Sequence, residues 1–212
     1  MDVAPADGGT RFTVALQGSP WATVALRVPG LHNVRNALAA IGAGLALGAD
    51  VEALARGVSG FAGVERRFQR IGEAAGVLVV DDYAHHPTEI AATLAAARLA
   101  YPGRRIVAAF QPHLFSRTRD FAGDFGAALA AADAVYLTAI YPAREQPIPG
   151  VTSELVADGV RAAGGAVRWS GARDGLAEAI AADARPGDVV LTLGAGDVTR
   201  TGPELLRRLG AA

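Results

Sequence analysis

Two residue types are missing from this chain, and each absence removes chemistry. There is no cysteine, which excludes disulfides, thiolate metal sites and cysteine nucleophiles. There is no lysine either, so all 20 basic residues are arginine. That excludes a phosphate-loop lysine, a Schiff base and a carbamylated lysine. No apolar run approaches the roughly 20 residues that cross a bilayer, so no membrane partner is expected. The net charge is only −1 over 212 residues, which gives no electrostatic case for nucleic acid. The opening Met1-Asp2-Val3-Ala4-Pro5 lacks the basic start and apolar stretch of a secretory leader. A cytoplasmic protein is the expectation.

What the chain has is a polar cluster in a telling place. Val77-Leu78-Val79-Val80 is an apolar run, and Asp81-Asp82-Tyr83-Ala84-His85-His86-Pro87-Thr88-Glu89 follows it. An Ala-rich helical pattern, Thr88–Ala100, comes next. Pro87 suits a first helical turn, where its missing N–H leaves nothing unpaired. The order strand, polar loop, helix puts two carboxylates, a phenol and two imidazoles at the carboxyl end of a strand. Ligands sit at that edge in open α/β sheets.

From the start, residues 1–10 are polar and Gly-rich and read as peripheral or disordered. Arg11–Leu16 and Trp21–Leu26 read as two strands of a hairpin around Gly18-Ser19-Pro20. A helix is expected over Ala37–Leu47, with one of Asn33 and Asn36 as its cap, and a second over Val51–Val58. A junction falls near Arg66. Beyond it β runs recur at Val77–Val80, Ile106–Phe110, Ala134–Ile140 and Val189–Leu193, with a weaker one at Ala166–Trp169. Helical patterns at Thr88–Ala100, Asp120–Ala132, Ser153–Ala163 and Gly175–Ala184 separate them. This alternation predicts an α/β fold with right-handed crossovers and a mostly parallel sheet.

The distinctive polar residues fall after the predicted strands. Asp81, Asp82, Tyr83 and His85 follow the first; Gln111, His113, Ser116, Arg117 and Arg119 the second; Tyr141, Arg144 and Glu145 the third. Gly194-Ala195-Gly196-Asp197 follows the last. One sheet edge is therefore the expected ligand site. Adjacent His85 and His86 should point apart, so no metal site is assigned to them. Arginines near a helix start and close to His113 favour an anionic ligand, carboxylate or phosphate. No strand is followed by a full Gly-x-Gly-x-x-Gly with a downstream acid, which weakens a dehydrogenase reading.

Several motifs occur in a fixed order: His32-Asn33-x-x-Asn36-Ala37, Gly63-Val64-x-Arg66-Arg67-Phe68 and Asp81 to Glu89 as quoted. Phe110-Gln111-Pro112-His113 with Ser116-Arg117-Thr118, Ile140-Tyr141-Pro142-Ala143-Arg144-Glu145 and Gly194-Ala195-Gly196-Asp197-Val198 continue the series. Together they resemble the Mur ligase family from about residue 28 onward. The resemblance implies that residues 1–66 match the tail of a central ATP-binding domain without its P-loop. Residues 67–212 would match the C-terminal Rossmann-like domain. The UDP-sugar domain and the P-loop half would lie outside the chain, leaving it inactive alone.

The implied reaction is ATP-dependent amide formation between the lactyl carboxylate of UDP-N-acetylmuramate and L-alanine, through an acyl phosphate. The same resemblance assigns Asn33 and Asn36 to adenine, Arg67 to the nucleotide phosphates and Asp82 to the ribose. Tyr83, His85, His113 and Arg117 match positions near the incoming alanine. Arg117 would pair with its carboxylate, and His85 or His113 would orient the amine or take its proton. Leu114 stands where some relatives carry an arginine. The implied magnesium ligands belong mostly to the missing part. Two alternatives stay open: a ligase for a recycled tripeptide, and a non-catalytic binding module of the same fold.

Overall fold

The structure is a computed structural model that describes residues 3–6 and 8–210. The chain divides into two compact units. One comprises the chain up to Val64 with Ala95–Pro102, and the other Glu65–Leu94 with Gly103 onward.

In the first unit, β1 (Val3–Ala6), β2 (Gly9–Leu16) and β3 (Ser19–Leu26) form an antiparallel sheet in that order. Thr10, Phe12 and Val14 alternate inward along β2, as one covered face requires. Phe12, Val24 and Leu26 pack with Val34 and Ile41 of α1 (Leu31–Ala46) and with Ala55 of α2 (Val51–Ser59). The hairpin expectation holds, with the turn at Gln17-Gly18. The peripheral reading of residues 1–10 does not: β1 pairs with β2 from Val3↔Phe12 to Ala6↔Gly9. For Met1, Asp2 and Asp7 that expectation lies outside the described residues.

The expected asparagine cap is also wrong. Helix α1 begins at Leu31, and its N-cap is Gly30 at φ 102°, a conformation that favours glycine. Asn33 and Asn36 therefore sit inside the helix. By contrast, α2 carries a side-chain cap, because Asp50 Oδ2 accepts from Ala53 N–H at 2.9 Å.

The second unit is a six-stranded sheet in the order β4-β5-β9-β6-β7-β8. Its strands are β4 (Gln69–Ala74), β5 (Val77–Asp82), β6 (Ile106–Phe110), β7 (Ala134–Thr138), β8 (Val167–Gly171) and β9 (Val189–Leu193). Only β4 runs antiparallel; the other neighbours are parallel. The helices are α3 (Pro87–Ala100), of which the part up to Leu94 belongs to this unit, α4 (Phe115–Leu129), α5 (Glu154–Ala162), α6 (Leu176–Asp183) and α7 (Thr201–Gly210). Every residue of β5, β6, β7 and β9 is buried. Helices on both faces require this, and it makes the strands continuous apolar runs. Val79, Val107, Ala109 and Val190 meet Leu176 and Ile180 of α6 and Leu205 of α7. On the opposite face Phe110 meets Phe125 of α4, ring centroids 5.2 Å apart.

The mostly parallel α/β sheet is as expected, with revisions at its margins. No element was expected at β4 or α7. Strand β5 runs on through Asp82, and α4 starts at Phe115 rather than Asp120. The sequence signal misplaced that start because α4 is kinked at Phe121 (φ −119°, ψ 15°). The residues before the kink are polar and carry Arg117 and Arg119. Further along, α4 and α5 cross at Gly126 and Gly159. A Cβ added to Gly126 would lie 2.2 Å from the Gly159 carbonyl carbon.

Candidate functional site

Parallel strands bring their following loops to one edge, and the second unit gathers its polar residues there. Asp81 and Asp82 end β5, and both are buried. Asp82 is held by backbone: Oδ2 accepts from Phe68 N–H and Oδ1 from Ala84 N–H, each at 2.8 Å. Burial pushes the Asp82 carboxyl above its ordinary value, against those two amides and the Arg67 charge. Asp81 accepts from the hydroxyls of Thr192 and Thr199 and from Arg66. The Arg66 guanidinium also lies 4.8 Å over the Tyr83 ring, and that of Arg67 lies 5.7 Å from the same ring.

Next along the edge come the imidazoles. His85 and His113 have ring centroids 6.1 Å apart, and Tyr83 lies 5.1 Å from His85. Arg117 Nη1 donates to the His85 carbonyl at 3.5 Å. His86 turns away against Phe121 at 5.1 Å, so the two adjacent imidazoles do diverge. His113 stacks on Tyr141 at 5.7 Å, and its Nδ1 is buried with no hydrogen-bond partner among the described residues. Burial first, then the charges of Arg117 and His85, hold the His113 imidazole below its ordinary pKa. A guanidinium beside two imidazoles suits a ligand that carries both a carboxylate and an amine.

The loops are tied to one another. His113 and Tyr141 form a parallel bridge, Leu114 N–H donates to the Tyr141 carbonyl at 3.0 Å, and Tyr141 N–H to that of Pro112 at 2.8 Å. Helix α4 has no side-chain cap of its own, its N-cap being Leu114 at φ 70°. Glu145 takes that role from another loop, accepting from Ser116 N–H at 2.9 Å and from the Ser116 hydroxyl. The Ser116 bonds hold the Glu145 carboxyl below its ordinary value. Gln111 is the other tie: its Nε2 donates to Asp197 Oδ1 at 2.7 Å, and its Oε1 accepts from Val198 N–H at 3.0 Å. Gly196 has to be glycine here, since a Cβ would sit 2.3 Å from Gln111 Oε1 and 2.6 Å from Tyr141 Cγ.

Residues 66–196 match the family described as "Mur ligase, glutamate ligase domain". The chain belongs to the Mur ligase family. It is 54% identical to the UDP-N-acetylmuramate–L-alanine ligase of Cutibacterium acnes, over 94% of this chain and 43% of that protein. The same-named protein of Streptomyces coelicolor is 50% identical, over 99% of this chain and 45% of its own length. The chain thus spans less than half of these curated relatives. Among solved structures, UDP-N-acetylmuramate-alanine ligase MurC of Thermotoga maritima superposes with a TM-score of 0.83 at 28% identity, over 99% of this chain and 45% of that one. A murein peptide ligase from Psychrobacter arcticus gives 0.66 at 29% identity, over 100% and 44%.

In this Mur ligase domain the structure brings together Arg67, Asp82, Tyr83, His85, His113 and Arg117, all in the second unit. Asn33 and Asn36 are on α1 of the first unit. Asn33 Nδ2 donates to the Pro29 carbonyl at 2.8 Å, and Asn36 is exposed. Arg66, Glu89 and Glu145 belong to the edge as well, though no role was expected for them. Each lies inside a quoted motif, but the motif does not show its partners: Asp81 and the Gly194 carbonyl for Arg66, the amides of His85 and His86 for Glu89, and Ser116 for Glu145.

Proposed function

We propose that this chain is the amino-acid side of an ATP-dependent ligase that joins L-alanine to UDP-N-acetylmuramate in peptidoglycan precursor synthesis, in the cytoplasm. Residues 1–66 would be the tail of the central ATP-binding domain, and 67–212 the C-terminal domain. The observation that carries the reading is the convergence of Tyr83, His85, His113 and Arg117 at the carboxyl edge of the sheet, in a chain half identical to ligases named for that reaction.

In this reading ATP converts the lactyl carboxylate into an acyl phosphate, and the alanine amine attacks it. Arg117 holds the alanine carboxylate, for which a fixed guanidinium fork is suited. His85 or His113 takes the amine's proton. Tyr83 stands beside His85, with its ring faced by two guanidiniums. Arg67 meets the nucleotide phosphates and Asp82 the ribose. Each Asp82 oxygen has spent one lone pair on an amide and keeps another for a hydroxyl. Magnesium would supply charge neutralisation at the phosphates. Among the described residues no three His, Cys, Asp or Glu side chains gather as a ligand set, so this chain's residues assign it no ligand. The 50–54% relatives named for L-alanine favour that acceptor over a tripeptide.

The test is ADP release from ATP with UDP-N-acetylmuramate, L-alanine and magnesium present. The chain alone should be silent, and turnover should appear when it is joined to a polypeptide supplying the N-terminal half. Turnover by the chain alone would refute the shared-site reading. Silence of a demonstrably assembled pair would refute the ligase reading.

A further inference from the structure

Nδ1 of His85 lies 3.0 Å from the Tyr83 carbonyl oxygen and 3.2 Å from Glu89 Oε2. Both oxygens can only accept, so the nitrogen between them must carry the hydrogen. The other nitrogen of the neutral ring, Nε2, then holds the free lone pair. Glu89 does not drift, because the same Oε2 accepts from His85 N–H at 2.9 Å and His86 N–H at 3.2 Å. It stands in the first turn of α3, where the helix end also favours a negative charge. The neighbouring ring is held the other way. Thr88 N–H donates to His86 Nδ1 at 3.4 Å, which puts the His86 proton on Nε2.

We infer that Glu89, as a positioning residue beside the Tyr83 carbonyl, helps fix His85 as the Nδ1–H tautomer, making His85 Nε2 the nitrogen that takes the proton of the attacking amine. The second half of this statement rests on the ligase reading; the first does not. In the step, the amine lone pair forms the C–N bond and phosphate leaves with the C–O electron pair. The ammonium proton passes to His85 Nε2 and then to solvent. His113 is the rival base, but its buried Nδ1 has no hydrogen-bond partner among the described residues to fix a tautomer.

Long-range 1H–15N NMR on the labelled 212-residue chain, at mildly alkaline pH where imidazoles are neutral, reads each tautomer directly. His85 should show a pyridine-type Nε2 and His86 a pyridine-type Nδ1. Glu89→Ala leaves the Tyr83 carbonyl in place, so His85 should shift only part of its population toward Nε2–H, and Glu89→Gln, which keeps an acceptor oxygen, should hold it. An Nε2–H His85 in the unmodified chain, or an unchanged pattern in Glu89→Ala, overturns the inference. In the assembled ligase, Glu89→Ala should lower kcat by less than the roughly 100-fold at the low end of general-base effects, with the KM for ATP unmoved and Glu89→Gln largely rescued. An equal loss in Glu89→Gln and Glu89→Ala would refute the positioning role. Failure of unmodified ligase to turn over refutes the ligase reading alone, because the tautomers are read without it.

Discussion

Arg66 Nε lies 3.1 Å from Oδ2 of the fully buried Asp81, while Arg66 Nη2 donates to the Gly194 carbonyl at 2.6 Å. One guanidinium thus ties the chain entering β4 to the ends of β5 and β9. It does so from a left-handed backbone position, φ 58°. Replacing Arg66 with Ala leaves a buried carboxylate with hydroxyl partners only. The expected loss is about 3 kcal/mol, as for other broken buried pairs. Urea unfolding reads it directly. Arg66→Lys keeps the charge but not the fork, and should fall between the two.

Asp82 has a structural duty that any functional test must separate. Asp82→Asn replaces an acceptor by an amide donor facing Phe68 N–H or Ala84 N–H. We expect about 2 kcal/mol of destabilisation from the amide left unsatisfied, or a fall in Tm of about 4–8 °C at this chain length. In the assembled ligase the KM for ATP should rise more than that for L-alanine. The reverse order would remove Asp82 from the ribose.

Arg117→Ala should act on the acceptor. The KM for L-alanine should rise at least tenfold while that for ATP stays within about twofold, since a charge-assisted bond contributes about 1.5–3 kcal/mol. An unmoved alanine constant would take Arg117 out of the site.

Away from the site, Tyr136 gives a clean pH test. Burial and the hydrogen bond to Asp183, 3.0 Å, push its phenol up to about 12. A folded pKa raised above the unfolded 10.0 means that stability is fully present below pH 10.0 and is lost as pH rises through about 12. Ultraviolet titration should show a late tyrosine step near pH 12. Tyr136→Phe should abolish that step and flatten the alkaline loss of stability.

The four central strands were legible because burial on both faces leaves an apolar run and little else, as in Val189–Leu193. Strand β4 was not, because Gln69–Ala74 is a half-exposed edge with polar residues on both sides and a register shift between Arg70 and Gly72. The polar edge was legible for a related reason: Asp82, Tyr83, His85, His113 and Arg117 stand where apolar runs stop. The work of Glu89 and Glu145 was not, because a carboxylate serving backbone amides leaves no residue pattern. The asparagine cap failed on a single torsion, since Gly30 at φ 102° turns the chain into α1 before either asparagine is reached.

The crossing of α4 and α5 extends the demands of recognition beyond the ligand edge. Gly126 and Gly159 leave room there only for hydrogen, and Gly126 lies about 13 Å along the helix from Arg117 at 1.5 Å per residue. A methyl group at either position would wedge the two helices apart. The seating of α4 is therefore set from both ends, by the Glu145 carboxylate at one and by two missing side chains at the other. A catalogue of tolerated substitutions would show a second intolerant spot, remote from every reacting atom, whose cause is leverage rather than chemistry.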